Sequence, residues 1–330
     1  MEAIKATVHV TYEGRNITTD LQPFLLGFSY TDRIAGESDE LEILLMDSDG
    51  RWRGDWFPTK RDRIKARIEA PSGILECGTF EIDEVEASGS REGDGFIMRA
   101  LAAGHRQTLR TRRSSALEGT SLKGLAQSIA ARHGLTLQGT IADIPIARAV
   151  QYRQTDLEYL AALAAQYGYL FSVRGTLMVF TSVYELEDKD AALEVKRAET
   201  LGWSIKDKTS GVFKKARHRK HHPKKRKVIE VAAELQADTN PTDDHLEWHG
   251  EAEDSGQAEH KAKAHIHKAA RAMTEGGLSM RGNIYAVSGA NVHLPDYGQL
   301  SGTYRISEST HSVSREMSYT TDITVQRIRK

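Results

Sequence analysis

The sequence of 330 residues contains a single cysteine, Cys77. One thiol excludes an internal disulfide and any multi-cysteine zinc site, so we expect the chain to be made and to fold in a reducing cytoplasm. No stretch approaches the roughly 20 consecutive apolar residues that a membrane helix needs. The first residues lead directly into a strand-like pattern, without the apolar block of a signal peptide.

An excess of charge of one sign is also lacking, because 45 Lys and Arg face 46 Asp and Glu. The net charge therefore favours neither nucleic acid nor an acidic substrate as a partner. Hydrophobic residues make up 39% of the chain, which is enough to form buried cores. A chain of 330 residues is too long for one compact core and predicts two or three domains.

Motifs of common enzymes are missing. The chain has no Gly-x-Ser-x-Gly motif, and the absence of any Gly-Lys dipeptide excludes a Walker phosphate loop. Residues 47–50, Asp-Ser-Asp-Gly, begin like a calcium loop, but Arg51, Trp52 and Pro58 stand where a ligand, a glycine and a bidentate glutamate are required. We interpret this segment as a turn and expect no catalytic residue, metal or cofactor. A Ser-His-Asp triad assembled from distant positions stays open, because triads are defined by geometry.

The 13 histidines suggest a metal site. His245 and His249 would share a face if helical, and His260, His265 and His267 follow on an alanine-rich segment. The catalytic order His-Glu-x-x-His is absent, however, and the last three point in different directions around a helix. We interpret these side chains as solvated or as parts of an interface.

The first hundred residues have the alternation and β-branched content of short strands separated by turns. The predicted strands lie at 6–12, 25–30, 41–46, 63–68, 78–85 and 95–103. Six short strands at this spacing predict a small antiparallel barrel or sandwich.

The apolar period then changes. Leu122, Leu125 and Ile129 share one helical face, with Thr120 or Ser121 as the cap. A second helix begins at the capping box 155–158, and a hairpin follows at 169–180. The last third contains a long helix from Ser255 to Met273 and further strands.

The predicted fold class is α+β. We expect a first β-barrel-like domain at 1–108, a small inserted α+β unit at 115–182, and a second antiparallel β-barrel-like domain at 183–330 that includes helix 255–275.

Several blocks of sequence, in this order, are similar to one known family. They are 28–32 (Phe-Ser-Tyr-Thr-Asp), 36–41, 47–52, 55–58, 77–83, 156–160, 167–169, 302–306, and His311 before 318–321. The chain resembles the phage late control protein D family, the baseplate hub proteins of contractile tails, whose fold also forms the hub half of type VI secretion hub-spike proteins. The order holds from about residue 24 to the C-terminus; residues 214–227 depart from the family by being more charged.

The resemblance implies a structural role without enzymatic activity. Hub proteins of this family form a homotrimer that joins the hexameric tail tube to the central spike, with two barrels per chain approximating six subunits. The implied partners are the tail tube protein and the tail spike protein, and further the tape-measure and baseplate wedge proteins. The implied location is the tail baseplate of the virion, which is assembled in the host bacterial cytoplasm.

A basic run lies at 214–227, where nine Lys and Arg fall within fourteen residues and no aromatic residue is interleaved. Its last four residues, Lys224, Lys225, Arg226 and Lys227, are candidate interface residues. We predict two strands that turn near Pro223, with charges that meet carboxylates of the same assembly; contact with nucleic acid is the alternative.

A second candidate interface is the aromatic cluster Trp52, Trp56 and Phe57, beside Arg51 and Arg53. Such a cluster either anchors a partner, because Trp and Arg dominate interface energies, or closes the end of the first barrel. Two other functions stay open at this point: a cell-wall-degrading tail enzyme, and a nucleic-acid-binding late regulator that uses the basic run.

Overall fold

The structure is a computed structural model of the chain. The residues it describes are 3–34, 38–91, 93–102, 111–208, 215–222, 227–234, 245–248 and 252–329.

Twenty-one strands are present within these ranges. Those of the first half are β1 (Thr7–Tyr12), β2 (Arg15–Asn16), β3 (Leu25–Arg33), β4 (Glu40–Met46), β5 (Arg63–Ala70), β6 (Gly73–Ser90), β7 (Gly93–Ala102), β8 (Arg113–Ser121), β9 (Thr136–Gln138), β10 (Pro145–Gln154) and β11 (Tyr169–Arg174). Those of the second half are β12 (Leu177–Ser182), β13 (Ala191–Glu194), β14 (Thr200–Asp207), β15 (Lys215–His222), β16 (Lys227–Glu234), β17 (His245–Trp248), β18 (Thr274–Arg281), β19 (Asn291–Leu294), β20 (Gly302–Ser314) and β21 (Tyr319–Arg327).

Five α-helices accompany the strands in the described ranges. They are α1 (Thr18–Leu21), α2 (Leu122–His133), α3 (Asp156–Gln166), α4 (Val183–Glu187) and α5 (Ser255–Arg271). The fold is therefore mostly β-sheet with few helices, and the six strands predicted for the first hundred residues are confirmed as β1 and β3–β7.

A 13-stranded, mostly antiparallel sheet forms the body of the molecule. Its order is β14-β18-β21-β20-β3-β4-β7-β6-β5-β1-β2, and β19 and β13 attach beside β20. The sheet joins the two ends of the chain because β20 pairs with β3 from Glu308 opposite Arg33 to Ser314 opposite Gly27. One continuous sheet therefore connects the two expected β-rich regions, because the edge of β3 finds its hydrogen-bond partner in the last third of the chain.

The sheet also curves back on itself without closing into a barrel among the described strands. A single bridge pairs Lys5, just before β1, with Ser318 at the turn between β20 and β21. The Ala6 N–H donates to the Met317 carbonyl at 2.9 Å, and the Tyr319 N–H donates to the Ile4 carbonyl at 2.8 Å. The N-terminal segment is thereby fastened to the C-terminal hairpin.

Strict alternation of apolar residues places one face of each strand in the core. In β4, Leu41, Ile43 and Leu45 are fully buried, while the residues between them are half-buried. Each such side chain contributes about 1.5–3 kcal/mol through burial. Val313 and Tyr319 from the C-terminal hairpin belong to the same core, so both ends of the chain stabilise it.

The middle of the chain forms the predicted α+β unit. Helix α2 is capped at its start by Ser121, whose side chain accepts the Gly124 N–H, and at its end by Gly134, which has a left-handed φ of 61°. Helix α3 has the predicted capping box of Thr155 and Glu158. The hairpin β11–β12 and the short β9 form a three-stranded sheet against these helices. The pairing of β8 with β10 was not predicted.

Helix α5 packs on the hairpin β15–β16, and β17 pairs with β15 in parallel. The predicted helix from Ser255 is thus confirmed, with its end at Arg271.

His311 lies buried where β20 meets β3, with its side chain fully enclosed. Its Nδ1 is 2.7 Å from the Tyr319 hydroxyl and 3.3 Å from Thr321 Oγ1. The Tyr30 ring stacks on it at 6.0 Å between centroids. Burial lowers the pKa of His311 to about 4, although the charge of Asp32 acts in the opposite direction.

We expect the protein to lose stability as the pH falls from about 6.5 to about 4, because the unfolded His311 binds a proton in this window and the folded one does not. The lowered pKa of about 4 corresponds to a loss of about 3 kcal/mol in the free energy of unfolding at the low end of this pH range.

Urea denaturation at pH 7 and at pH 4.5 measures this loss of stability. A His311→Gln variant should lose much less stability between the two values, whereas His260→Gln, on the exposed side of α5, should behave like the wild type. An equal pH dependence in all three proteins would contradict the assignment.

Candidate partner interface

Asp47 organises the loop that follows β4. The buried carboxylate accepts the Trp52 N–H at 2.9 Å and the Arg53 Nε–H at 2.7 Å. The second nitrogen of that guanidinium reaches the carboxylate of Asp94 at 2.7 Å. Gly50 completes the bend with φ of 74°. The segment 47–50 is the predicted turn, and the Asp47 carboxylate serves to hold the loop together.

Trp52 points inward from this loop and is 5% exposed. Its ring stacks on Phe96 at 6.3 Å and meets Phe24 edge-on at 6.1 Å. Trp52 therefore belongs to the main core and contributes to its packing, not to an exposed surface.

Trp56 and Phe57 lie on the outer side of the same loop and are 41% and 52% exposed. The Trp56 ring packs edge-on against Trp52 at 5.3 Å. The Arg51 guanidinium sits 4.3 Å from the Phe24 ring centroid and 4.7 Å from that of Trp56, within cation–π range. An apolar surface next to an ordered arginine is suited to contact a protein, so the cluster divides into a core residue and two exposed candidates. Their role in an interface stays a prediction.

The predicted strand pair is present, but only its first strand, β15, lies within the basic run, because β16 begins at Lys227, the last residue of the run. They pair in antiparallel register from Lys215 opposite Glu234 to His222 opposite Lys227. Lys224, Lys225 and Arg226 lie outside the described residues, and Lys227 is the first residue of β16. The register also places Arg219 opposite Glu230. The partners of the basic side chains stay a prediction.

Sequence reasoning missed an exposed apolar surface on β14, the strand at one end of the large sheet. Leu201 and Trp203 are 58% and 43% exposed, and the Trp203 ring meets Tyr297 edge-on at 5.3 Å. The alternation of Leu201, Trp203 and Ile205 is typical of a strand and was the available signal.

A buried carboxylate connects the parts of the α+β unit. Asp156 is fully buried, lies 2.6 Å from His133 Nε2 and accepts the Gln151 amide at 2.9 Å. Arg132 and Arg113 approach it at 3.2 Å and 3.6 Å. Burial alone would raise the pKa of Asp156, but the hydrogen bonds from His133 and Gln151 and the two arginines lower it overall. Every partner stabilises the ionised form of Asp156. Because the partners lie on different elements, the cluster connects α2, α3, β8 and β10.

Within the described ranges, no group of three or more His, Cys, Asp or Glu side chains is arranged to hold a metal ion. None of the helices in the same ranges has the length and apolar character needed to cross a bilayer.

The fold is that of phage tail proteins. The 43 kDa tail protein of prophage MuSo2 from Shewanella oneidensis superposes with a TM-score of 0.71 at 12% identity, over 98% of both chains. A tail protein from Neisseria meningitidis gives 0.70 at 10% identity, over 98% of this chain and 97% of that one. A component of the type VI secretion system of E. coli, described as structurally similar to tail proteins of bacteriophage T4, gives 0.58 at 11% identity, over 92% and 74%. At these identities the likeness concerns the fold alone.

The chain is also similar in sequence to two proteins named as probable baseplate hub proteins. The chain is 30% identical over 171 residues to the probable baseplate hub protein of Escherichia phage P2, a match that covers 51% of this chain and 43% of that protein. The probable baseplate hub protein of Escherichia phage 186 is 29% identical over 174 residues, 52% of this chain and 43% of that protein. The matched segment thus spans less than half the length of these relatives. No family model matches the chain. The resemblance to baseplate hub proteins that the sequence blocks indicated is confirmed.

Proposed function

We propose that this chain is the structural baseplate hub of a contractile phage-type tail and acts in assembly of the virion tail. The observation that carries the proposal is the sequence match to two proteins named as probable baseplate hub proteins. The tail-protein fold, which extends over almost the whole chain, supports it. In this proposal the protein acts by joining other tail components and has no catalytic function.

The proposed assembly is a homotrimer that joins a hexameric tail tube to a central spike. In this proposal the chain divides into 1–108, 115–182 and 183–330, and the strands on either side of the β3–β20 pairing form two β regions per chain. Three chains then present six β regions around one axis, and a closed ring satisfies every heterologous contact. The proposed partners are the tail tube and spike proteins, with the tape-measure and wedge proteins as further neighbours.

A trimer under mechanical load needs interfaces of the obligate kind, with at least about 2,000 Å² buried per subunit pair. We expect native mass spectrometry of the purified chain, or of the hub released from particles, to give three times the chain mass of 36.7 kDa. In an assembled particle, the two β regions should be related by a rotation of about a sixth of a turn. Two β regions unrelated by such a rotation would contradict the adaptor arrangement.

The basic run provides a second test. We expect replacement of Lys224, Lys225, Arg226 and Lys227 by serine to impair particle assembly, because their charges would meet carboxylates of the same assembly. A matched control replaces four Lys or Arg elsewhere on the surface. Unchanged assembly together with the loss of a salt-dependent affinity for phage DNA in a gel shift would instead support a nucleic-acid contact.

A further inference from the structure

A cavity of about 420 Å³ lies between the α+β unit, helix α5 and the strands β20 and β21. Its apolar lining includes Ala161 of α3 and Leu170 of β11. Three cations also line it, Lys268 and Arg271 on α5 and Arg305 on β20. A concave site with apolar walls and a few convergent polar groups is the usual form of a small-molecule site.

The three cations lie at increasing depth. Lys268 is exposed, whereas the side chains of Arg271 and Arg305 are 12% and 5% exposed. A guanidinium group binds a carboxylate or a phosphate by donating two parallel N–H hydrogen bonds to two oxygens of the anion. An anion that enters past Lys268 would therefore meet progressively less solvated donors.

The charges around the cavity do not balance. Within the described part of the chain, Glu187 is the carboxylate in ion-pair contact with either arginine, and one oxygen, Oε1, serves both. It lies 2.8 Å from Arg271 and 3.4 Å from Arg305. One carboxylate shared by two buried guanidinium groups leaves one buried positive charge, and a buried charge without a counter-charge is unfavourable.

Arg305 is less well compensated than Arg271, because its contact with Glu187 is longer. Its Nε–H is buried and has no hydrogen-bond partner among the described residues, and its terminal nitrogen reaches Gln326 Oε1 only at 3.3 Å. Burial lowers the pKa of Arg305 to about 10, the charge of Arg271 adds to this, and Glu187 opposes it. A guanidinium with this pKa is still charged at neutral pH.

We propose that this cavity binds a small multivalent oxyanion of the phosphate or carboxylate class, which supplies the charge that Glu187 alone does not. The bound anion would connect α5 and β20 on one side with the α+β unit on the other. Occupancy would then fix the position of the α+β unit relative to the large sheet.

The test is isothermal calorimetry of the full chain with two probes, inorganic phosphate and citrate, at constant ionic strength set by sodium chloride. Saturable binding of either probe is expected, and the preferred probe distinguishes a phosphate group from a carboxylate. Arg271→Gln leaves the balanced pair Glu187–Arg305 and should weaken binding at least tenfold. Glu187→Gln removes the internal competitor and should strengthen binding, a change of opposite sign that general damage to the site would not produce.

The controls use exposed residues of the same helix. Lys268→Gln, at the mouth of the cavity, should fold normally and bind several-fold more weakly. Lys263→Gln removes the same charge from α5 but lies beside the Tyr184 ring, outside this cavity, and should bind as the wild type does. Absence of saturable binding for both probes overturns the proposal, and so does equal binding by the wild type, Lys268→Gln and Arg271→Gln.

Discussion

Replacement of Asp156 by alanine should lower the stability of the α+β unit by about 3–5 kcal/mol, the usual cost of removing one partner from a buried ionic cluster. His133 and Gln151 would lose the acceptor that they contact at 2.6 Å and 2.9 Å. Arg132 and Arg113 would lose their counter-charge. The four partners come from α2, β10 and β8, so a single substitution removes the hydrogen bonds and ionic contacts of all three elements with this carboxylate in the first turn of α3.

Native-state hydrogen exchange of amides in α2 and α3 is the appropriate measurement, because a part of a large protein can open without global unfolding. Asp143→Ala, an exposed position in the same unit, is the matched control and should leave exchange unchanged. The pKa of Asp156 is lowered in the folded state below the ordinary value of 3.8, so its contribution to stability is present above that pH and is lost as the pH falls below it. Exchange rates in α2 and α3 that Asp156→Ala leaves unchanged would refute the connecting role.

Trp52→Ala should lower the free energy of unfolding by about 3–5 kcal/mol, the range expected for a large aromatic removed from a core. Its side chain is 5% exposed and contacts Phe96, Phe24 and Trp56. The buried indole Nε1–H has no hydrogen-bond partner among the described residues, so Trp52→Phe should cost much less than alanine.

Trp56→Ala provides the contrast within the same loop, because its side chain is 41% exposed. Its loss should change the stability of the isolated chain far less than Trp52→Ala does, and should weaken assembly into particles if the exposed aromatics contact a partner. Urea denaturation measures the first effect, and the yield of assembled tails measures the second. A Trp56→Ala variant that assembles normally would remove this loop from the candidate interfaces.

Local structure could be predicted from the sequence wherever the signal was local. The apolar alternation of β4 and the cap residues Ser121 and Thr155 act through neighbours a few positions away, and the structure has these elements at the expected places. The strands β8 and β10 were missed because their residues are largely exposed and carry little apolar alternation. The aromatic cluster was visible in the sequence, but the separation of buried Trp52 from exposed Trp56 was not, since burial depends on the orientation of the Asp47 loop.

The sequence by itself determined the β-rich character of both ends, the helices of the middle unit and the resemblance to baseplate hub proteins. Only the tertiary structure decided that β20 pairs with β3 and joins both ends in one sheet, because such pairing depends on backbone groups about 280 residues apart in the chain, from Thr31 to Thr310. It also decided that Arg271 and Arg305 line one cavity and share the carboxylate of Glu187. Charges so distant in sequence meet only in the folded chain, and no local pattern in the sequence records that contact.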